Sequence, residues 1–186
     1  GIVNIEKSNI VIGGNNGKTL VVPILNPTCE SILNILVWLK EEGYALGLNN
    51  LPKDSNDLMK ILINTRTNNP ESQNNEPLDY LKLEQYLIYW NTLSPYIKDK
   101  VIKRWNKPNQ SEELEDRGFP INGILFGNVC ILIQPSRGYD PYSKEDLHSP
   151  DLPPTHRYLA QYHWIQNNFK ANIIVHVGKH GTLEWL

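Results

Sequence analysis

Apolar runs and helical stretches alternate through the last third of the chain, and that alternation decides the fold class. "INGILFGNVCILIQP" gives two short apolar strands around Gly127. A loop rich in turn formers and charges follows, "SRGYDPYSKEDLHSPDLPP", and then "THRYLAQYHWIQNNF", a helix capped by Thr155. "NIIVHVG" reads as a strand buried on both faces, and a glycine turn leads into "TLEWL", the start of another helix. Strand, helix, strand, helix in this order specifies an α/β fold with a parallel-type sheet and flanking helices. Such sheets gather ligands beyond the carboxyl ends of their strands. The loops containing Gly138 and Gly181 leave from those ends.

The earlier segments fit the same plan. "NIVIGG" and "TLVVPIL" are β-rich runs separated by glycines and Asn15-Asn16. In "NPTCESILNILVWLKEEGY", Thr28 offers a cap, Ile32, Ile35, Leu36 and Leu39 form an apolar stripe at helical period, and Gly43 ends the helix. "DSNDLMKILIN" repeats the design with Asp54 or Ser55 as cap. Residues 65–77, "TRTNNPESQNNEP", lack large apolar side chains and predict a mobile loop or hinge. Two helices are expected next, "LDYLKLEQYLIYWNTL" and "SPYIKDKVIKRWN", the second with Ser94 as cap and Pro95 in its first turn. "QSEELEDRG" reads as an acidic connector. Three segments result: an α/β segment over 1–64, a loop plus helical segment over 65–117, and a second α/β segment over 118–186. Gly1 at one end and an interrupted element at the other lead us to expect a fragment of a larger multidomain protein.

Composition narrows the function. With 40% hydrophobic and 20% charged residues the profile is globular, and a net charge of −2 offers no pull toward nucleic acid or an anionic membrane. No apolar run reaches the roughly 18 residues of a membrane span. The stretch "GIVNIEKSN" has neither the basic start nor the long apolar centre of a secretory signal. Cys29 and Cys130 lie in or beside apolar runs without C-x-x-C spacing, so buried reduced thiols and a cytoplasmic setting are expected. "IGGNNGKTL" resembles the end of a phosphate loop, but Gly13 and Gly17 enclose three residues rather than the four required, and strand rather than helix follows. No ATP hydrolysis is assigned to this chain.

All five histidines lie between positions 148 and 180. His176, His180 and Glu184 stand at i, i+4 and i+8, but Gly178 and Gly181 argue against one continuous helix. His176 is expected near a strand end, His180 in the turn, and Glu184 in the first helical turn, all facing one crevice. Imidazole with carboxylate suits a borderline divalent ion such as Co²⁺, Zn²⁺ or Ni²⁺. The structural alternatives are a packed strand-end histidine and a glutamate favoured by the helix dipole. The H-E-x-x-H order of a zinc protease is absent. Upstream, "QPSRGYD" supplies Arg137 and Tyr139, and "HSPDLPPTHRYLAQYHW" supplies His148, Asp151, His156, Arg157 and His163.

"FGNVCILIQPSRGYD", "HSPDLPPTHRYLAQYHWIQNNF" and "IIVHVGKHGTLEWL" resemble the CobN family, the large subunit of aerobic-type cobaltochelatase, related to the large subunit of magnesium chelatase. The likeness is dense from about Gly118 to Leu186 and looser through "RWNKP" and "NPTCESILNILVWLKEEGY"; the N-terminal quarter departs from it. The resemblance implies insertion of Co²⁺ into a corrin precursor, hydrogenobyrinic acid a,c-diamide, in cobalamin synthesis. It also implies ATP hydrolysis by separate AAA+ motor subunits. By the same resemblance, Glu184 and His180 are the expected catalytic bases, and His176, His180 and Glu184 the metal contacts. Arg137, Tyr139, His156, Arg157, Lys179 and Trp185 are the expected tetrapyrrole contacts. The alternatives are a magnesium chelatase large subunit of chlorophyll biosynthesis and a non-catalytic tetrapyrrole- or metal-binding module.

Overall fold

The computed structural model describes residues 10–14, 26–43, 46–66, 76–135 and 152–177. Along the chain these form β1 (Ile10–Gly14), α1 (Asn26–Glu41), α2 (Ser55–Asn64), β2 (Asp79–Leu81), α3 (Leu83–Thr92) and α4 (Pro95–Trp105). After a 3-10 turn at Pro108–Gln110 come β3 (Phe119–Ile121), β4 (Ile124–Phe126), β5 (Val129–Ile133), α5 (His156–Asn167) and β6 (Ile173–His176). The run "TLVVPIL" and the expected final helix lie outside the described residues.

Four strands make the central sheet in the order β4-β5-β1-β6. β1 runs parallel to both β5 and β6, whereas β4 is antiparallel to β5. The sheet is therefore mixed rather than wholly parallel. The reason is local: Gly127, at φ +55°, turns the chain between β4 and β5 in two residues, and so short a link makes an antiparallel hairpin. A Cβ at Gly127 would run into the backbone oxygens of Leu46 and Gly47, which also explains the glycine. β5 and β6 are joined through α5 and lie on either side of β1, so a strand from the first segment sits between two from the last.

Helices cover both faces. Ile32, Leu33, Leu36 and Leu39 of α1 and Leu58 and Leu62 of α2 pack with Val129 and Ile131 of β5. On the other face Cys130 and Leu132 meet Ala160, Trp164 and Ile165 of α5, together with Tyr86 and Trp90 of α3. The period of two along β5 places successive side chains in opposite cores. Both cysteines are free and fully buried, and burial pushes the Cys29 thiol up to about 11 and Cys130 up to about 12.

Capping follows the sequence at three helices. The Asp54 carboxylate accepts from the Asp57 amide, the Ser94 hydroxyl from Ile97, and the Thr155 hydroxyl from Tyr158. α1 starts at Asn26, before Thr28 could cap it, and ends at Glu41 with Gly43 following at φ +75°. Two expectations are corrected. "LDYL" does not open a helix: Asp79–Leu81 pairs antiparallel with Phe119–Ile121, a strand absent from the sequence reading. β6 is not buried on both faces: Ile173 and Val175 pack against the α1–α2 core, while Ile174 on the opposite face is 38% exposed. The interval 65–77 has its described ends tied: Arg66 pairs with Glu115, and Glu76 with Arg117.

Candidate functional site at the carboxyl edge of the parallel strands

Register fixes which positions meet at the carboxyl edge. Gly13 is opposite Leu132 on one side and His176 on the other, and Gly14 is opposite Ile133. The three strands run the same way, so the chain leaves all of them at one edge. Arg137 and Tyr139 follow shortly after β5; Lys179, His180, Glu184 and Trp185 follow β6. These six residues lie outside the described part, as do His148 and Asp151. His176 is placed by its backbone as the last residue of β6, a strand-end position as the sequence implied.

His156 has a different setting from a ligand contact. It is the first residue of α5 and 0% exposed. Its Nε2 donates to the Asn106 carbonyl at 3.0 Å, so Nδ1 is the unprotonated nitrogen that accepts the Tyr86 hydroxyl at 2.8 Å. Tyr86 and Trp90 meet the ring edge-on, with Phe119 tilted beside it. Burial holds its pKa below the usual histidine value, against a smaller opposite pull from the Asn106 carbonyl. With both nitrogens engaged and no exposed surface, His156 fastens α5 to α3 and to the end of α4. The Trp105 indole adds to this junction by donating to the Pro153 carbonyl at 2.8 Å.

Arg157 is half-buried, and its backbone N–H donates to Glu113 Oε2 at 3.0 Å. Burial lowers the guanidinium pKa, Glu113 and Glu115 raise it, and Arg66 lowers it further. Glu113 is itself pushed up by burial, against the Arg157 and Thr155 hydrogen bonds it accepts. Glu115 is held down, first by its hydrogen bond from Arg66 and then by the Tyr80 hydroxyl at 3.0 Å. Carboxylates of the chain itself thus already stand in the field of Arg157. The segment read as an acidic connector supplies both of them.

Sequence reasoning also passed over Gln134, Tyr158 and Tyr162. Gln134 directly follows β5, and its Nε2 donates to both tyrosine hydroxyls. The signal was present as a polar residue at the next inward position after Cys130 and Leu132. Among the described residues no three His, Cys, Asp or Glu side chains come together as a cation site. No helix among them is long and apolar enough to cross a membrane.

Comparison with known proteins decides the family: the model of the CobN/Magnesium Chelatase family matches residues 21–186. The chain belongs to that family. Its relatives include the aerobic cobaltochelatase subunit CobN of Sinorhizobium sp, 40% identical over 159 residues, covering 86% of this chain and 12% of the relative. A magnesium-chelatase subunit of Chlorobaculum parvum is 30% identical over 173 residues, covering 91% of this chain and 13% of the relative. Among solved structures, the catalytic subunit of cobaltochelatase from Mycobacterium tuberculosis superposes with a TM-score of 0.75 at 28% identity, covering 99% of this chain and 16% of that one. This chain thus spans about an eighth of the two sequence relatives' length.

Proposed function

We propose that this chain is part of the tetrapyrrole-binding large subunit of an ATP-dependent cobaltochelatase, which inserts Co²⁺ into hydrogenobyrinic acid a,c-diamide in cobalamin synthesis. Membership of the chelatase family carries the reading, and the choice of cobalt rests on the 40% identity to CobN against 30% to the magnesium-chelatase relative. The second figure is also what favours magnesium chelation as the alternative.

Insertion makes three demands. Pyrrole N–H protons must leave the ring, and Glu184 and His180 are the bases assigned to take them. Hydrated Co²⁺, here a substrate, must exchange water for protein ligands before it reaches the ring nitrogens; His176, His180 and Glu184 supply imidazole and carboxylate donors for that exchange. The macrocycle must be held, its carboxylates by Arg137, Arg157 and Lys179 and its flat face by Tyr139 and Trp185. The strand register supports the assignment of His176, because its backbone lies one strand from Gly13 at the edge where these segments leave the sheet. His156, buried, holds the start of α5 to α3 and to the end of α4. ATP is hydrolysed by separate AAA+ motor subunits, and the protein works in the cytoplasm.

Glu184→Gln in the full-length subunit, assayed with its motor subunits, abolishes cobalt insertion and leaves tetrapyrrole affinity near normal. Unchanged insertion rates would remove Glu184 from the mechanism. Titrating the intact subunit with the corrin precursor against a protoporphyrin separates cobalt from magnesium chelation. Binding without any turnover in the complete complex would leave only a tetrapyrrole-binding module.

A further inference from the structure

β6 has the composition of an interior strand and the position of an outer one. Ile173–His176 reads Ile-Ile-Val-His, with Asn172 before it and Val177 after. A run apolar at successive positions is what parallel strands show when both of their faces are covered. Ile173, Val175 and Val177 do pack against the α1–α2 core, yet all three are only partly buried, and Ile174 on the other face is 38% exposed. β5, on the opposite side of β1, is apolar in the same way, but its Val129, Cys130, Ile131 and Leu132 are all buried. The two strands differ in their neighbours. β5 lies between β4 and β1, whereas β6 pairs with β1 and, among the described residues, with no strand on its outer side.

Edges that end a sheet are commonly blunted by a lysine, a proline or a bulge. β6 carries none of these, and it keeps register with β1 over four successive residues, Ile10–Gly13 against Ile173–His176. Two occupants fit such an edge. A second copy of the subunit, related by a twofold axis, would set β6 against itself in antiparallel. The lengths favour another part of the same subunit. This chain covers 12% of the CobN relative and 13% of the magnesium-chelatase relative, and 99% of it superposes on only 16% of the solved cobaltochelatase subunit.

We infer that the outer edge of β6 is a docking edge, taking a further parallel strand from a part of the same large subunit outside residues 1–186. The parallel direction follows from the apolar pattern of β6 and from the shared direction of β1, β5 and β6. His176 then ends an interior strand, with Gly13 of β1 on one side and the added strand on the other. The inference goes beyond the chelatase reading and is the same whichever metal is inserted.

The test uses the full-length subunit. Amide hydrogen exchange is followed across residues 172–177, and a photoreactive diazirine analogue of an aliphatic residue is placed at position 174. The β6 amides that do not bond β1 exchange more than about 100-fold slower than in an unstructured chain, at every protein concentration. Photolysis gives an intrachain cross-link to a peptide outside residues 1–186. Ile174→Lys speeds exchange across β6, because it forces a charge into a covered face. On a true edge the same lysine is tolerated, and unchanged exchange in that variant overturns the inference. Outward amides that exchange freely overturn it as well, as do cross-links confined to residues 1–186. Protection that rises with protein concentration, or a cross-linked dimer, also overturns it by making the occupant a second copy. Where Ile174→Lys fails to fold, exchange and cross-linking in the otherwise unaltered subunit decide the question. Failure of cobalt insertion with β6 still protected counts against the metal assignment alone.

Discussion

The two faces of the central sheet are closed in different ways. Toward α1 and α2 the core is entirely apolar: Cys29, Ile32, Leu36, Leu39, Leu58 and Leu62 have only shape and area to offer. Toward α5, hydrogen bonds thread the core. The buried polar residues among those described are Asn122, Gln134, Thr155, His156 and Gln161, and none comes from α1 or α2. Apolar packing supplies stability but leaves side chains interchangeable at constant volume, whereas a satisfied polar network specifies one arrangement. The threaded face is also the one whose helix is bonded to the end of β5 and whose first residue is His156.

The largest expected effects are of similar size on the two faces. Leu36→Ala, at a fully buried position of α1, costs about 2–5 kcal/mol in urea unfolding. The loss is the same at every pH, because no titrating group is touched. On the threaded face, His156→Phe keeps an aromatic ring but strands the Tyr86 hydroxyl and the Asn106 carbonyl, at about 1–3 kcal/mol for each group left unsatisfied.

The two variants then part company in acid. The groups around His156 are Tyr86, Trp90, Phe119 and the Asn106 carbonyl, and burial sets its folded pKa below the unfolded value. Between those two values the unfolded chain binds a proton that the folded chain does not. The neutral histidine therefore stabilises fully above the unfolded pKa, and stability falls as the pH drops through about 6.5 toward the folded value. Unfolding curves of wild type and Leu36→Ala should run parallel between pH 8 and 5, while His156→Phe flattens the slope. A His156→Phe slope equal to wild type would mean that the ring contributes nothing to the pH dependence.

Much of the apolar side was legible in the sequence, because a helical stripe such as Ile32–Leu36–Leu39 needs no distant partner to be recognised. The caps at Asp54, Ser94 and Thr155 were legible for the same reason, since cap and amide lie three residues apart. The threaded side was not. His156 finds Tyr86 70 residues away and Asn106 50 residues away, so a histidine placed by resemblance among ligand contacts is instead packed against three aromatic rings. "LDYL" carried a helix-like pattern until pairing with Phe119–Ile121 overrode it. Of the residues expected at the site, His176 ends β6 as its place in the sequence implied, whereas Gln134 announced itself only as a polar residue in an otherwise apolar alternation, and its two tyrosines lie 24 and 28 residues away.

The smallest expected effect tests whether threading matters through burial or merely through polarity. Arg117 and Glu76 join at 3.0 Å, and the Arg117 guanidinium lies over the Tyr80 ring, so by its contacts alone this corner looks as well connected as His156. Both ionic side chains are largely exposed, at 67% and 79%. Water solvates each of them nearly as well as the partner does, and salt screens what attraction remains. Glu76→Gln should therefore change stability by less than about 1 kcal/mol, and the change should vanish in high salt. A loss as large as that of His156→Phe would show that the rim of the α5 face, and not its buried bonds, holds the threaded side together.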